Sequence, residues 1–358
     1  MDPTEVALDL DALGLRRGDA EPAVRLGRPC LRFDDAVLAP TVPGVDLLDG
    51  VVEADLLVSP GRSFPGLQWH ARGIAAEDAE TFFVRPHQVG NPDAIQYTPV
   101  SNGISSWQLY HGPGFWAPTT FPVGAWFTLR IVFAGDRAEA FVGDLETPAL
   151  AMRLKHGVAS GGVGLLVGGP GLHVARFAWS GEPAPFVAEP PALEVMPPGT
   201  IRSWDVSDPI AEAEVSGAAE LHGSLLAARS WLPLEVQPSG LADLGFVHGI
   251  RDDRNTVLVR ATIEAPTARV RPLAFGFSDR ASVFLNGRRL FRGDDSYRVR
   301  DYRFLGSIGY WYTLDLPLVA GSNDLVLAVS EDFGGWGVMA RLPSAPTGRT
   351  PRRAASRA

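Results

Sequence analysis

Short runs of alternating apolar and polar residues, broken every few positions by glycine or proline, confine this chain to an antiparallel β architecture. In "AWFTLRIVFAGDRAEAFVGD" two such runs flank an Ala-Gly-Asp turn, and "GVVEADLLVS" carries the alternation through one strand. "GGVGLLVGGPGLHVARFAWSG" reads as a further hairpin around Gly-Gly-Pro-Gly. With 39 Gly and 30 Pro spread over 358 residues, little room remains for segments with a helical period. The helical exceptions are "DLDALGL" near the start and "LADLG" at Leu241 to Gly245. The expected class is all-β rather than α/β.

A chain of this length has room for two cores, and one stretch marks the division. "GEPAPFVAEPPALEVMPPG" holds six prolines, which remove backbone donors and fix φ, so neither a helix nor a central strand fits there. Its apolar members Phe186, Val187, Leu193 and Val195 suggest a linker that packs along a domain surface. Beyond it, "NTVLVRATIEAP" and "RPLAFGFSDRASVFLNGRRLF" repeat the strand pattern, with Asn286-Gly287 as a two-residue hairpin turn. The expectation is two tandem antiparallel β-sandwich (jelly-roll) domains at 1–180 and 200–343, a linker at 181–199 and a disordered basic tail at 344–358.

Composition removes several classes of function. At a formal net charge of -9 the chain lacks the Lys/Arg surface that displaces counterions from nucleic acid, and only the tail "TGRTPRRAASRA" is basic. Cys30 is the single cysteine, which excludes an intramolecular disulfide and a cysteine-based metal site. "MDPTEVALDLDALGL" has acids where a signal peptide has basic residues, and no run approaches about 20 apolar residues, so no membrane span is expected. As given, the chain reads as cytoplasmic, and as secreted if a leader was removed. The oligomeric state is left open by the sequence.

Two resemblances add to this reading. "FDDAVLAPTVPGVDLLDGVVEADLL", "FPGLQWHARG", "TFFVRPH", "WFTLRIVFAGDRAEAFV", "GGVGLLV" and "HVARFAW" follow one another in an order that resembles the concanavalin A-like jelly rolls. The resemblance covers about residues 20–180 and is strongest to laminin G-like and 3-keto-disaccharide hydrolase-like bacterial modules. From Ile201 to Leu342, "VLVRATI", "LAFGFSDRASVFLNGRRLF", "LPLVAGSNDLVLAVSEDFGGWG" and Trp204 resemble the galactose-binding-like jelly roll found beside many glycoside hydrolases. Such modules commonly bind sugars, and many serve only as docking surfaces.

The densest side-chain chemistry lies in "RPHQVGNPDAIQYTPVSNGISSWQLYHGPG", from Arg85 to Gly114. Alternation in "TFFVRPH" puts Phe83 and Arg85 on one face and Phe82 and Val84 on the other. A second run, "SWQLYHG", is expected to turn Trp107 and Leu109 toward the core and Gln108 and Tyr110 away from it. Arg72, Arg85, His87, Asp93, Gln96, Gln108 and Tyr110 are therefore expected to line an open cleft that binds a glycan or other small sugar. Guanidinium and amide groups bond pairs of hydroxyls, while aromatic faces cover the C–H surface of a ring. The competing arrangement is a buried Arg85–Asp93 pair with the amides satisfying loop carbonyls.

A carbohydrate-active enzyme, glycoside hydrolase or polysaccharide lyase, is the rival reading, with His87, Asp93 and Tyr97 as its catalytic candidates. A non-catalytic structural or assembly protein is the third. Glu53 and Asp55 share a strand face without the third carboxylate of a glucanase array, and an exposed outer strand accounts for them. No cofactor or metal motif stands out; a structural Ca²⁺ could be held by "DRNT", "RGDDS" or "GSNDL", which also read as ordinary turns. In "SEDFGGWG", Phe333 and Trp336 offer either a stacking platform or a hydrophobic plug.

Overall fold

A computed structural model describes residues 3–34, 37–73, 76–299 and 307–343, and the tail expected at 344–358 lies outside them. The chain is almost entirely antiparallel β-structure, arranged as jelly-roll β-sandwiches. It divides into two units: Met1–Leu193 with His248–Ile250 and Phe333–Gly335, and Glu194–Val247 with Arg251–Asp332 and Trp336–Ala358. Among the described residues no helix is long and apolar enough to cross a membrane.

In the first unit, one sheet runs in the order Leu150–Arg153, Arg137–Val142, Trp126–Ala134, Gly50–Val58, Leu172–Ser180, Arg28–Phe33, Glu21–Arg25. The second runs Trp116–Ala117, Ile95–Ser101, Asp78–Val84, Gly66–Arg72, Gly162–Gly168, Val37–Leu38. Period-2 alternation places Leu56, Leu129, Ile131, Phe133 and Phe177 of one sheet against Leu67, Trp69, Phe82, Ile95 and Leu165 of the other in a single core. Trp69 ties the sheets together, its ring 6.2 Å from both Tyr97 and Phe133.

Three expectations need correction. Gly162–Gly168 and Leu172–Ser180 do not pair as a hairpin, because the intervening glycine-rich turn carries the chain from one sheet to the other. Gly50–Val58 is a central strand, not an outer one, and Glu53 is buried where it accepts from Arg130 Nε at 2.5 Å and Arg176 Nη1 at 2.8 Å. Two guanidiniums offset the cost of burying that carboxylate. "DLDALGL" forms turns, and "LADLG" is a three-residue strand, Leu241–Asp243, running into the 3₁₀ turn Leu244–Phe246.

The proline-rich segment lies along the first unit. Glu139, fully buried, accepts from the backbone N–H groups of Val187 and Ala188. Phe186 packs beside Val51, Val132 and Phe141, while Val187, Leu193 and Val195 stay exposed.

Close approach at one glycine can be tested. A Cβ on Gly164 would sit 1.9 Å from the carbonyl oxygen of Pro40, beside which Gln68 Nε2 donates to Ala39 O at 2.7 Å and Pro40 O at 3.0 Å. All three close contacts of the added methyl, with Pro40 O, Pro40 C and Thr41 Cα, are with backbone, which cannot swing aside. Gly164→Ala is expected to cost about 1–3 kcal/mol, read as a lowered urea midpoint.

The second unit stacks one sheet, ordered Trp231–Glu235, Ser203–Ser207, Thr256–Ala265, Gly321–Ser330, Arg280–Leu285, Arg288–Asp294, with another, ordered Leu241–Asp243, Gly337–Arg341, Arg269–Ser278, Tyr312–Leu318. Asn286 and Gly287 join Arg280–Leu285 to Arg288–Asp294 with φ of 50° and 84°, the positive pair that a type I′ turn requires. Phe275, Phe277, Phe291 and Tyr312 form an aromatic cluster at ring separations of 5.1 to 6.1 Å.

Candidate functional site

Arg85 leaves the strand Asp78–Val84 at a point where Pro86 removes the next backbone donor and starts a short 3₁₀ turn, Pro86–Gln88. The loop that follows closes on itself. Gln88 N–H donates to Arg85 O at 2.9 Å, Ala94 N–H to Asn91 O at 3.0 Å and Arg85 N–H to Ala94 O at 2.8 Å.

The expected open cleft is not what forms. Arg85, Gln96, Gln108 and Tyr110 are all buried. Arg85 donates to Gln96 Oε1 and, at 2.6 Å, to the main-chain carbonyl of Asp93, whose carboxylate lies 3.8 Å away. Gln96 Nε2 in turn donates to Trp107 O at 2.8 Å and Tyr110 O at 2.7 Å. The paired arrangement weighed against the cleft is the one observed.

The cause is local. "SWQLYHG" is a turn rather than a strand, with the N–H groups of Leu109 and Tyr110 both directed at Ser106 O, so its side chains do not alternate between two faces. Gln108, Leu109 and Tyr110 are buried in succession, and Trp107, expected in the core, is half-buried. Gln108 N–H donates to Gly334 O at 2.8 Å, and the ring of Lys155's neighbour Tyr110 lies 5.0 Å from that lysine's Nζ.

Arg72 belongs to a different place. It sits at the far end of Gly66–Arg72, paired with Asp78, while Gly66 at the near end pairs with Phe83. The catalytic candidates are not assembled either. Tyr97 points into the core, fully buried, and donates to Glu80 Oε2 at 2.6 Å, away from His87 and Asp93.

What survives at the surface is a smaller cluster at the strand end, completed by two residues that the sequence reading missed. Phe64 is the hub. Its ring meets Phe83 edge-on at 5.8 Å and His87 at 5.5 Å, with the guanidinium carbons of Arg62 and Arg85 at 5.5 and 5.9 Å from its centroid. Arg62 and His87 are exposed, whereas Phe64 and Asp93 are half-buried. Arg62 and Phe64 lie in "GRSFPG", a turn just ahead of a strand, and nothing in its pattern shows that it folds over Arg85.

Partial desolvation and the nearby charges of Arg62 and Arg85 hold the His87 imidazole below its ordinary pKa, opposed by Asp93 and a hydrogen bond to the main chain at Gly61. At neutral pH the ring is uncharged and can both donate and accept. The cluster therefore presents an exposed guanidinium, a neutral imidazole and a partly open aromatic edge, above an Arg85–Gln96–Asp93 frame that fixes their positions.

The remaining candidates, Phe333 of the first unit and Trp336 and the loops of the second, have structural partners. Trp336 is fully buried and its indole N–H donates to Val329 O at 3.0 Å, while Phe333 is exposed and lies 5.7 Å from Trp107. Of the loops considered for Ca²⁺, Asp294 accepts from Ser296, Asp295 from Tyr312 OH at 2.7 Å, and Asn323 bonds Val319 and Ile263. Among the described residues no group of three His, Cys, Asp or Glu is placed to hold a metal ion.

No protein-family model matches the chain, and no curated protein matches it. Among solved structures it is similar to a carbohydrate-binding module from Bacillus subtilis, at 16% identity and a TM-score of 0.31 over 45% of this chain and 88% of that one. It is also similar to a Bacillus subtilis protein of unknown function with a galectin-like fold, at 12% identity and a TM-score of 0.35 over 50% and 97%. A Caenorhabditis elegans galectin overlaps at 16% identity and a TM-score of 0.27 over 47% and 99%.

Proposed function

We propose that the first unit is a non-catalytic carbohydrate-binding domain, and that its ligand sits at the strand-end cluster of Arg62, Phe64, His87 and Asp93. The observation that carries this reading is the convergence of exposed Arg62 and His87 on Phe64, above a frame that leaves Arg85 no freedom to move. Guanidinium and imidazole groups bond adjacent hydroxyls or a carboxylate, and the edge of Phe64 covers an apolar patch of a ring. With two guanidiniums against one carboxylate, a glycan bearing a uronate-type acid is the ligand class that fits best. In this reading the first unit is laminin G-like and the second galactose-binding-like.

An array of neutral and uronate-containing oligosaccharides tests it, together with assays for new reducing ends and unsaturated products. Arg62→Ala and His87→Ala are each expected to weaken binding about tenfold or more while leaving the urea midpoint unchanged. Turnover of a bound glycan would support the enzyme reading instead. Saturable binding that neither variant alters would move the ligand elsewhere.

A further inference from the structure

The second unit contains an open groove of about 490 Å³, lined by Arg202, Ser203, Thr262 and Arg271 together with the Arg260–Asp205 pair. Its origin lies in how two strands part. Thr256–Ala265 pairs with Gly321–Ser330 along its whole length, but with Ser203–Ser207 only at Val259 and Arg260. Ser203 and Trp204 stay paired with Glu235 and Leu234 but not with Thr256–Ala265, and at Ile201 the chain joins the other sheet, its N–H donating to Ala340 O at 3.0 Å. The five residues from Ala261 to Ala265 thus keep extended geometry with no strand beside them on that side, and among the described residues no hydrogen bond reaches their backbone except from Gly321–Ser330.

An extended segment with an open row of N–H and C=O groups is a template for another strand. The groove beside it has the volume of a ligand site rather than of a packing defect. Its charge gives the sign of the occupant: Arg202, Arg260 and Arg271 outnumber the carboxylates of Asp205 and Glu264, and Glu264 already accepts from Ser322 OH at 2.5 Å. Arg260 is matched by Asp205 at 3.1 Å and Arg271 Nη2 donates to Leu342 O at 3.2 Å, whereas Arg202 is exposed and has no ion pair among the described residues. We infer that Ala261–Ala265 is a strand-addition site for a short acidic peptide in extended conformation, with Arg202 meeting an acidic side chain on it.

The test uses the full chain and a fluorescein-labelled hexapeptide of alternating valine and glutamate, read by fluorescence polarisation. Saturable binding is expected, with a valine–lysine hexapeptide at least tenfold weaker. Arg202→Glu, an exposed change, should weaken binding of the acidic peptide at least tenfold without moving the urea midpoint. Only alternate residues of an added strand bond the edge. N-methylation of one alternate set of the peptide should therefore abolish binding, and methylation of the other set should spare it. Equal sensitivity of both sets, no effect of Arg202→Glu, or no binding overturns the inference. So does a dimer, seen by sedimentation, that excludes the peptide from this edge.

Discussion

Arg85→Ala is expected to remove about 3–5 kcal/mol of stability, because it deletes the one cation on which a buried polar frame is built. Arg85 serves Gln96 Oε1, the Asp93 main-chain carbonyl and the Asp93 carboxylate at once, and its guanidinium covers Phe83 at 4.9 Å. An alanine would leave buried acceptors without donors and a void against the phenyl ring. Arg85→Lys should recover only part of the loss, since a point charge cannot bridge the same acceptors as a planar fork. Urea unfolding measures both variants. If Arg85→Ala matched wild type in stability and lost only glycan binding, Arg85 would be a ligand contact instead of a frame. Arg62→Ala is the control: exposed, it should shift stability by no more than about 0.5 kcal/mol.

The second large effect concerns pH. Glu80 is fully buried in the core of the first unit, where its carboxylate accepts from Tyr97 OH at 2.6 Å and from His156 N–H at 2.9 Å. Lys155 N–H in turn donates to the Tyr97 oxygen at 2.8 Å. Burial raises the Glu80 pKa above its ordinary 4.5, opposed in part by His156 and these hydrogen bonds. The folded protein therefore holds this proton at pH values where the unfolded chain has released it. As pH rises from 4.5 through the raised value, stability falls by about 1.4 kcal/mol for each unit of displacement. Glu80→Gln removes that titration, so the variant should gain on wild type as pH increases across this window. Paired urea titrations at several pH values measure the difference. A gap independent of pH would mean that Glu80 binds its proton equally well folded and unfolded.

Both expectations rest on features that the sequence shows only in part. The strands Trp126–Ala134 and Arg137–Val142, their Gly135 turn and the Asn286-Gly287 hairpin are visible as period-2 runs and local turn chemistry, because each depends on residues a few positions apart. The failed hairpin at Gly162–Ser180 has the same local signature. Whether two strands joined by a glycine turn pair with each other or enter opposite sheets depends on which other strands compete for their edges. At the candidate site, Arg85, His87 and Asp93 were legible as a cluster within one loop. Arg62 and Phe64 were not, since their approach to Arg85 is a tertiary event.

The sequence alone determined the all-β class and the placement of most strands, since alternation, glycine and proline act through the backbone over short distances. The tertiary structure decided which polar residues face solvent. Arg85 and Gln96 look like ligand groups in one dimension, yet the fold buries them among carbonyls that would otherwise go unbonded, and it is the cost of an unpaired buried carbonyl that commits them to structure.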